Sequence, residues 1–593
     1  MNTNDKLRLI RAEMVQSGID AYIIPSNDPH NSEYLPEYYK TRQWLSGFTG
    51  SAGTIVITQT HCGLWTDGRY FLQAEDELKG SEIVLYKMRM PNVPTIHEWL
   101  NQTISHGSTV GFNGFQYSAY DAELIKSELK DKKIKLDFRT NIVDKIWLNR
   151  PYLPSEKVFI HDELYAGESA KQKIEHIRAN MLKNDCEYHL INKLDDIAWL
   201  LNLRGSDIKN NPYFLSYVLI DKETTYLYID ILKLNDKIIH YLHENNVRVK
   251  IYEDIWDDLQ ELKEGKRIAL DKKAIPYQFY HDIDRRCQVL DQPNHSTALK
   301  SIKNEIECNH LRTCHIHDGV AMLRFMKWLE ETVPTGAVTE TLADEKLTQY
   351  RMDISTFFSQ SFDTIAGYKD HAALMHYKAK KETEYTLEPS ALFLVDSGGQ
   401  YFNGTTDITR TFALGPLTDE ERTDYTLVLK GMIQLSKAIF LEGTTGTNLD
   451  ILARKPMWDR GIDYKCGTGH GVGFFMGVHE GPQGLSMVSN TIPLKPGMIL
   501  TNEPGIYKSG RHGIRIENTL LIVPFTTTEF GAFYQFETLT KTPIDTRPIL
   551  KELLTEAEIN WLNDYHQEVH HALRAHLSIK SEISYLEKVT QRI

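Results

Sequence analysis

Two histidines and six glycines crowd into GTGHGVGFFMGVHEGP, residues 467–482. So glycine-rich a stretch offers few side chains from which to build a core. His470 and His479 therefore need a purpose that comes from elsewhere in the chain. An imidazole can ligate a metal or move a proton near neutral pH. Four acidic residues stand where acids are uncommon. Asp396 ends the apolar run ALFLVD, and Asp407 sits in GTTDITRTFAL, the second arm of an expected hairpin. Glu503 follows the strand pattern GMILTN, and Glu517 lies within GIRIENTLLIV, expected as a strand with Arg515 on the same face at period two. Carboxylates are depleted in strands because their charge is costly to bury. Two aspartates facing each other across a ladder repel unless something positive lies between them. Taken singly, each acid has a plain explanation: a turn aspartate bonding its own backbone, or an edge-strand charge that discourages aggregation. Taken together, four carboxylates and one imidazole balance two divalent cations. Oxygen-rich ligation with a single imidazole suits Mn²⁺, Co²⁺ or Zn²⁺. Two such ions ~3.5–4 Å apart make a hydrolytic centre.

The elements that must position these residues are legible in outline. The chain has 593 residues, enough for several cores. Sixty-seven basic residues against eighty acidic ones give a net charge of −13, which argues against a general binder of nucleic acid or anionic membrane. No apolar run approaches the ~20 residues needed to cross a bilayer, and MNTNDKLRLIRAEM has no secretory-leader pattern. Cys62, Cys186, Cys287, Cys308, Cys314 and Cys466 lack framework spacing, which fits free thiols in the cytoplasm.

A first segment ends near VDKIWLNRPYLP, and the segment after it reads as a worn copy of the first. DDIAWLLNLRGSD parallels RQWLSGFTGSAG, and each is followed by a strand pair: TIVIT with GLWTDGRYF, then YVLID with TTYLYID. A third segment opens near residue 303 on a long helix. Met322, Phe325, Met326 and Leu329 form its buried stripe at i, i+3, i+4 and i+7. Thr555 and Glu558 predict a capping box before a helix that turns Ile559, Leu562, Val569 and Leu573 inward.

VDSGGQY, GTTDITRT, GTGHGVG, NEPGIY and GIRIEN together resemble the five signatures of the pita-bread metallopeptidases of family M24. Within that superfamily the chain is most similar to the three-domain aminopeptidase P enzymes. DPHNSEYLPEYYKTRQWLSGFTGSAG, WTDGRYFLQA, VDKIWLNRP and DDIAWLLNLRGSD extend the likeness into the first two segments. The resemblance implies an α/β and α+β multidomain fold: two creatinase-type N-terminal α/β domains over residues 1–152 and 153–302, then a pita-bread catalytic domain over 303–593 with a C-terminal extension from about residue 543. It implies removal of the first residue from peptides with proline at position two. The alternatives are a prolidase-type Xaa-Pro dipeptidase and an inert peptide-binding module of the same fold, and such modules lose ligands that this chain retains. It also implies a cytosolic homodimer.

By the same resemblance Asp396, Asp407, His470, Glu503 and Glu517 hold two divalent ions, manganese foremost. Asp407 and Glu517 bridge both ions, Asp396 serves one, and His470 and Glu503 serve the other. Glu503 also accepts a proton. His376, in KDHAALMHYKA, and His479 bind substrate and transfer protons. Arg515 either orients ligand carboxylates or makes a strand salt bridge. Tyr507 either lines the substrate pocket or packs, and Arg69 either reaches the cleft or is structural. His371 reads as loop surface. One departure stands out: Cys466 occupies the position, four residues before His470, where the family commonly has histidine. A thiol is a poor substitute for imidazole in proton relay.

Two further metal-like patterns are set aside. In HQEVH (566–570) the glutamate sits two residues after the first histidine, ~200° around a helix, so His566 and His570 read as a solvated face. Cys308, His310, Cys314, His315 and His317 fit no zinc spacing and read as helix packing.

Overall fold

The computed structural model describes residues 1–593, which divide into two compact units. The N-terminal unit is Met1–His161, Glu168–Lys209 and Tyr213–Ser296. The C-terminal unit is Asp162–Gly167, Asn210–Pro212 and Thr297–Ile593.

The N-terminal unit contains two six-stranded sheets of identical topology. The first uses strands Ala21–Pro25, Thr54–Thr58, Cys62–Thr66, Val84–Lys87, Thr109–Phe112 and Lys135–Asp137. The second uses Tyr188–Ile191, Ser216–Ile220, Thr225–Ile229, Val247–Lys250, Arg267–Leu270 and Gln288–Asp291. Counted within each sheet, the strand order is 4-3-2-1-5-6 in both. Strands 1, 2 and 3 pair antiparallel, and the outer pairs are parallel. The short helices Thr41–Ser46 and Leu194–Leu200 occupy matching places before the second strand of each sheet. The repeat read from the tryptophan and Gly-Ser patterns is therefore a repeat of fold. The two copies meet reciprocally. The Ala119 N–H donates to Ile275 O at 3.0 Å, and the Tyr277 N–H donates to Tyr117 O at 2.8 Å, on either side of the bridged pair Ser118 and Pro276. One apolar cluster joins Ile23, Val110 and Phe112 of the first sheet to Leu190, Leu219 and Ile268 of the second.

In the C-terminal unit the helix Glu305–Thr332 starts at Asn304, whose side chain caps the Glu307 N–H while Glu307 caps it in return. Met322, Phe325, Met326 and Leu329 are all buried along it, as the period predicts. Cys308, Cys314 and His315 are also buried on this helix, and the His315 Nδ1 lies 2.9 Å from Leu311 O one turn back. Strands Ile365–Tyr368, Leu392–Ser397 and Ile408–Ala413 form an antiparallel sheet. Ile439–Leu441, Gly531–Thr538, Asn518–Thr528 and Ile499–Asn502 form another. A third sheet of Phe357–Gln360, Gly399–Tyr401 and Gly404–Thr405 and two short pairs, Gly469–Gly471 with Glu480–Leu485 and Gly505–Lys508 with His512–Arg515, complete the scaffold. No helix in the structure is long and apolar enough to cross a membrane.

The long helix near the C-terminus, Glu556–Arg574, followed by the shorter Lys580–Val589, begins with the expected box: Thr555 Oγ1 accepts from the Glu558 N–H, and Glu558 accepts from the Thr555 N–H. Leu562, Val569 and Leu573 are buried. His566 corrects the expectation of a solvated face. It is fully buried, and its Nε2 accepts the Ile544 N–H at 3.1 Å. The apolar stripe is wide enough to carry position 566 inward with Leu562 and Val569, so the ring replaces an aliphatic side chain and ties down the segment before the helix.

Burial and the nearby Arg410 charge pull His566 down to about 4, and burial with His295 does the same for His189. Both rings are neutral when folded and titrate near 6.5 when unfolded. Their contribution to stability is therefore complete above about pH 6.5 and is lost as pH falls toward about 4. At about pH 5 each loss is about 2 kcal/mol. In urea denaturation at about pH 7.5 and about pH 5, a His566→Gln variant is expected to lose less stability between the two conditions than the native chain. Equal losses would remove His566 from this account.

Candidate metal centre

Five residues predicted from distant stretches converge in the C-terminal unit. Asp396 lies near the end of Leu392–Ser397, paired with Ile365 on one side and Thr409 on the other. Asp407 precedes Ile408–Ala413 by one residue, so the two aspartates are diagonal neighbours and not directly opposed. Their separation in sequence is taken up by a small excursion, Gly399–Tyr401 against Gly404–Thr405. Glu517 is not inside a strand. It occupies the break between His512–Arg515 and Asn518–Thr528, where its N–H donates to Thr409 O at 3.1 Å and its Oε2 accepts from Thr409 Oγ1 at 2.7 Å. Oxygens of Asp396, Asp407 and Glu517 lie within 4.8 Å of one another. The His470 Nε2 stands 3.4 Å from Asp407 Oδ2 and 3.3 Å from Glu503 Oε1.

The glycines around His470 answer a steric demand. A methyl on Gly469 would overlap the Thr501 carbonyl oxygen, and one on Gly471 would overlap that of Glu480. Only glycine lets the short strand carrying His470 lie this close to the strand leading to Glu503 and to the segment that follows His479. The His470 N–H then donates to Thr501 Oγ1 at 3.0 Å, and Thr501 Oγ1 donates to Glu503 Oε1 at 3.1 Å. The His470 Nδ1 lies 2.9 Å from Gly471 O, which leaves Nε2 directed at the acids. The His479 ring meets the His470 ring edge-on, with centroids 4.3 Å apart.

The electrostatics are those of a site built around missing positive charge. Burial, outweighing the Arg515 charge and assisted by Asp407 and Glu503, pushes Asp396 up to about 7. Burial raises Glu517 well above the carboxylate range, and Asp407, Glu503 and Asp396 add to it. Burial likewise raises Glu503, with Asp407 adding to it against the His470 charge. Burial lowers His470, but the bond to Asp407 and the charges of Glu503 and Asp407 overcome it and lift it to about 9. Asp396 Oδ1 and Glu517 Oε1 are buried without a hydrogen-bond partner. Buried, partnerless carboxylate oxygens aimed into one cluster suit hard or borderline divalent cations. The donor set fits a metal centre.

Arg515 contacts the cluster directly. Its Nη2 donates to Asp396 Oδ2 at 2.6 Å, its Nε to Thr409 Oγ1 at 3.0 Å, and its Nη1 to Tyr507 OH at 2.7 Å. Tyr507 therefore packs beside the site, held by that bond. Cys466 is half-buried near the same groups. Burial, with the Glu503 charge adding to it, pushes its thiol up to about 12, so it stays protonated where an imidazole would titrate. His376 lies half-buried in the loop before Leu392–Ser397. His371 is not loop surface. It pairs with Glu340 at 3.0 Å and stacks on Tyr385 with centroids 3.9 Å apart, because a buried acid draws it inward. Arg69 belongs to the N-terminal unit, where it forks onto Asp67 at 2.9 and 2.8 Å.

Sequence reasoning missed Thr409 and Arg410. Arg410 is fully buried and donates to the backbone carbonyl of Glu517, to Asn518 Oδ1 at 2.9 Å, to Thr542 O at 2.8 Å and to Tyr565 OH at 2.9 Å. It stitches the Glu517 backbone to the helix Glu556–Arg574. The signal was available: Arg410 is a charge inside an apolar strand, as Glu517 was expected to be.

Comparison with known proteins decides the family. Models described as "Creatinase/Prolidase N-terminal domain" match residues 6–145 and 149–307, "Metallopeptidase family M24" matches 309–524, and "C-terminal region of peptidase_M24" matches 532–593. "Probable Xaa-Pro aminopeptidase P" of Tuber melanosporum (strain Mel28) is 40% identical, with 96% of each chain covered. The chain belongs to metallopeptidase family M24. Two creatinase-type N-terminal domains precede its M24 domain. "Xaa-Pro aminopeptidase 1" of Dictyostelium discoideum is 39% identical over 95% of this chain and 92% of that one. A solved structure of X-prolyl aminopeptidase from Caenorhabditis elegans, described as a cytosolic enzyme with a di-nuclear active site, matches with a TM-score of 0.96 at 34% identity, covering 100% of both chains.

The simultaneous grip of Arg515 on Asp396, Thr409 and Tyr507 has no equivalent in a lysine side chain. Arg515→Lys is expected to weaken divalent-metal binding by about 10- to 100-fold while leaving the fold intact. Calorimetric titration of metal-stripped protein checks this, and unchanged affinity would limit Arg515 to a strand salt bridge.

Proposed function

We propose that this protein is a Xaa-Pro aminopeptidase that uses two divalent ions, manganese foremost, to release the first residue from peptides with proline at position two. The observation that carries the reading is the convergence of His470 with the buried Asp396, Asp407 and Glu517 and the half-buried Glu503, in a chain similar, end to end, to enzymes of that name. Asp396, Asp407, His470, Glu503 and Glu517 would hold the ions. When bound, the ions lower the pKa of water toward neutrality and polarise the carbonyl to be attacked.

The residues of the chain do the rest. Glu503 accepts the proton of the attacking water. His479, edge-on to His470, and His376 hold the peptide and pass a proton to the departing proline nitrogen. That nitrogen has no N–H in the substrate, so it offers nothing to a protein acceptor and recognition rests on shape. Arg515 orients Asp396 and opposes its protonation without overcoming burial, and Tyr507 presents its ring beside it. We further propose domain limits of 1–152, 153–302 and 303–593 with an extension from about residue 543, a homodimer, and a cytoplasmic location.

Replacing Asp407 with Asn removes one carboxylate charge. It is expected to lower turnover of Xaa-Pro-Yaa peptides on the order of 10³-fold in manganese-loaded protein. Unchanged turnover would discard the mechanism. Metal-stripped protein refilled with Mn²⁺, Co²⁺ or Zn²⁺ ranks the ions. A longer peptide with proline second, set against the dipeptide Gly-Pro, separates this activity from a prolidase: preference for the dipeptide would favour the latter.

A further inference from the structure

His376 must be held in place by something, yet it sits in a loop outside every strand of the metal centre. The loop is organised by one carboxylate that belongs to none of the signatures. Glu340, the first residue of helix Glu340–Met352, is fully buried. Its Oε1 accepts the Tyr368 N–H at 2.8 Å, at the end of the strand paired with Leu392–Ser397. Its Oε2 accepts Tyr377 OH at 2.8 Å and the Tyr385 N–H at 3.0 Å, and both oxygens lie 3.0 Å from His371 Nδ1. The rings of Tyr377 and Tyr385 stack on that of His371, at 4.5 and 3.9 Å. One buried acid thus ties together residues 368, 371, 377 and 385, which bracket His376 on both sides.

A further contact sets the loop against the metal centre. Methyl groups on Gly367 or Gly513 would collide with the backbone of Ala372, so the turn Lys369–Ala373 lies flush on the hairpin that carries Tyr507 and Arg515. A buried carboxylate with this many donors is costly to disturb, since each donor it loses is left unsatisfied. It is also far more elaborate than a surface loop needs.

We propose that Glu340 is a positioning residue for His376, acting through Tyr377 and His371 to fix the imidazole for substrate and proton transfer. This rests on the role given to His376 above. The gentlest perturbation is Tyr377→Phe, which removes one hydrogen bond beside His376 and keeps the ring. In manganese-loaded full-length protein, Tyr377→Phe is expected to lower kcat about 5-fold and Glu340→Gln about 10- to 100-fold, with KM changing less than about twofold. In a His376→Ala background the same changes are expected to cost less than about twofold more, because the residue they position is gone. Independently of activity, hydrogen exchange of residues 369–378 is expected to speed up about 10-fold in Tyr377→Phe.

Losses of equal size with and without His376 would overturn the positioning role in favour of a structural one, and so would unchanged exchange. Lost turnover in His376→Ala beside normal turnover in Tyr377→Phe and Glu340→Gln would also overturn it while leaving the enzyme reading intact. Normal turnover in His376→Ala overturns the role of His376 and the proposal with it. Should Glu340→Gln fail to fold, Tyr377→Phe carries the same comparisons.

Discussion

The mutual repulsion of four carboxylates confined to one buried pocket is the constraint around which the C-terminal unit is built. Such groups do not gather by default, since each resists both burial and its neighbours. Strand pairing places Asp396, with Asp407 just before its partner strand; bonds to Thr409 of that strand place Glu517, and glycine contacts bring His470 and Glu503 alongside. Arg515 supplies one fixed positive charge and His470 a second when protonated. That still leaves an excess of negative charge, and the partnerless oxygens of Asp396 and Glu517 mark where it is concentrated. Divalent ions are the natural relief.

The surrounding structure works to hold this unfavourable arrangement rigid. Arg410 grips the backbone at Glu517 from beneath and ties it to Tyr565 on the helix Glu556–Arg574. Thr409 serves two masters, donating to Glu517 and accepting from Arg515. On the other side of the site, Arg454 donates to the carbonyl of Cys466 and pairs with Asp450, fixing the segment that leads into His470. A site whose own members repel needs a frame of this kind, because the binding energy of the ions is best used on a cage already assembled. Cys466 fits the frame without adding a titrating group: its thiol is neutral throughout the working range.

Much of this was legible before any coordinates. Charged residues inside apolar β-runs announced Asp396, Asp407, Glu503 and Glu517, because elementary solvation makes them improbable there without partners. The duplicated tryptophan and Gly-Ser patterns announced the paired sheets, and the helical stripe at Met322 to Leu329 and the capping box at Thr555 were read correctly from local periodicity. His566 and His371 were misread for a shared reason. The partners that draw them inward, the Ile544 N–H and Glu340, are contributed by other segments.

What the sequence by itself determined was the list of groups that could do chemistry and the local elements that carry them, since solvation cost, period and turn preference act over a few residues. What only the tertiary structure decided was their mutual geometry. Asp396 is diagonal to Asp407, Glu517 sits in a break between strands, and His470 presents Nε2 because Nδ1 is engaged by its own neighbour's carbonyl. Those outcomes depend on register and on backbone approaches of Gly469, Gly471 and Gly513 to remote chain segments. No local rule contains them, because a glycine chosen for closeness looks the same in sequence as one chosen for a turn.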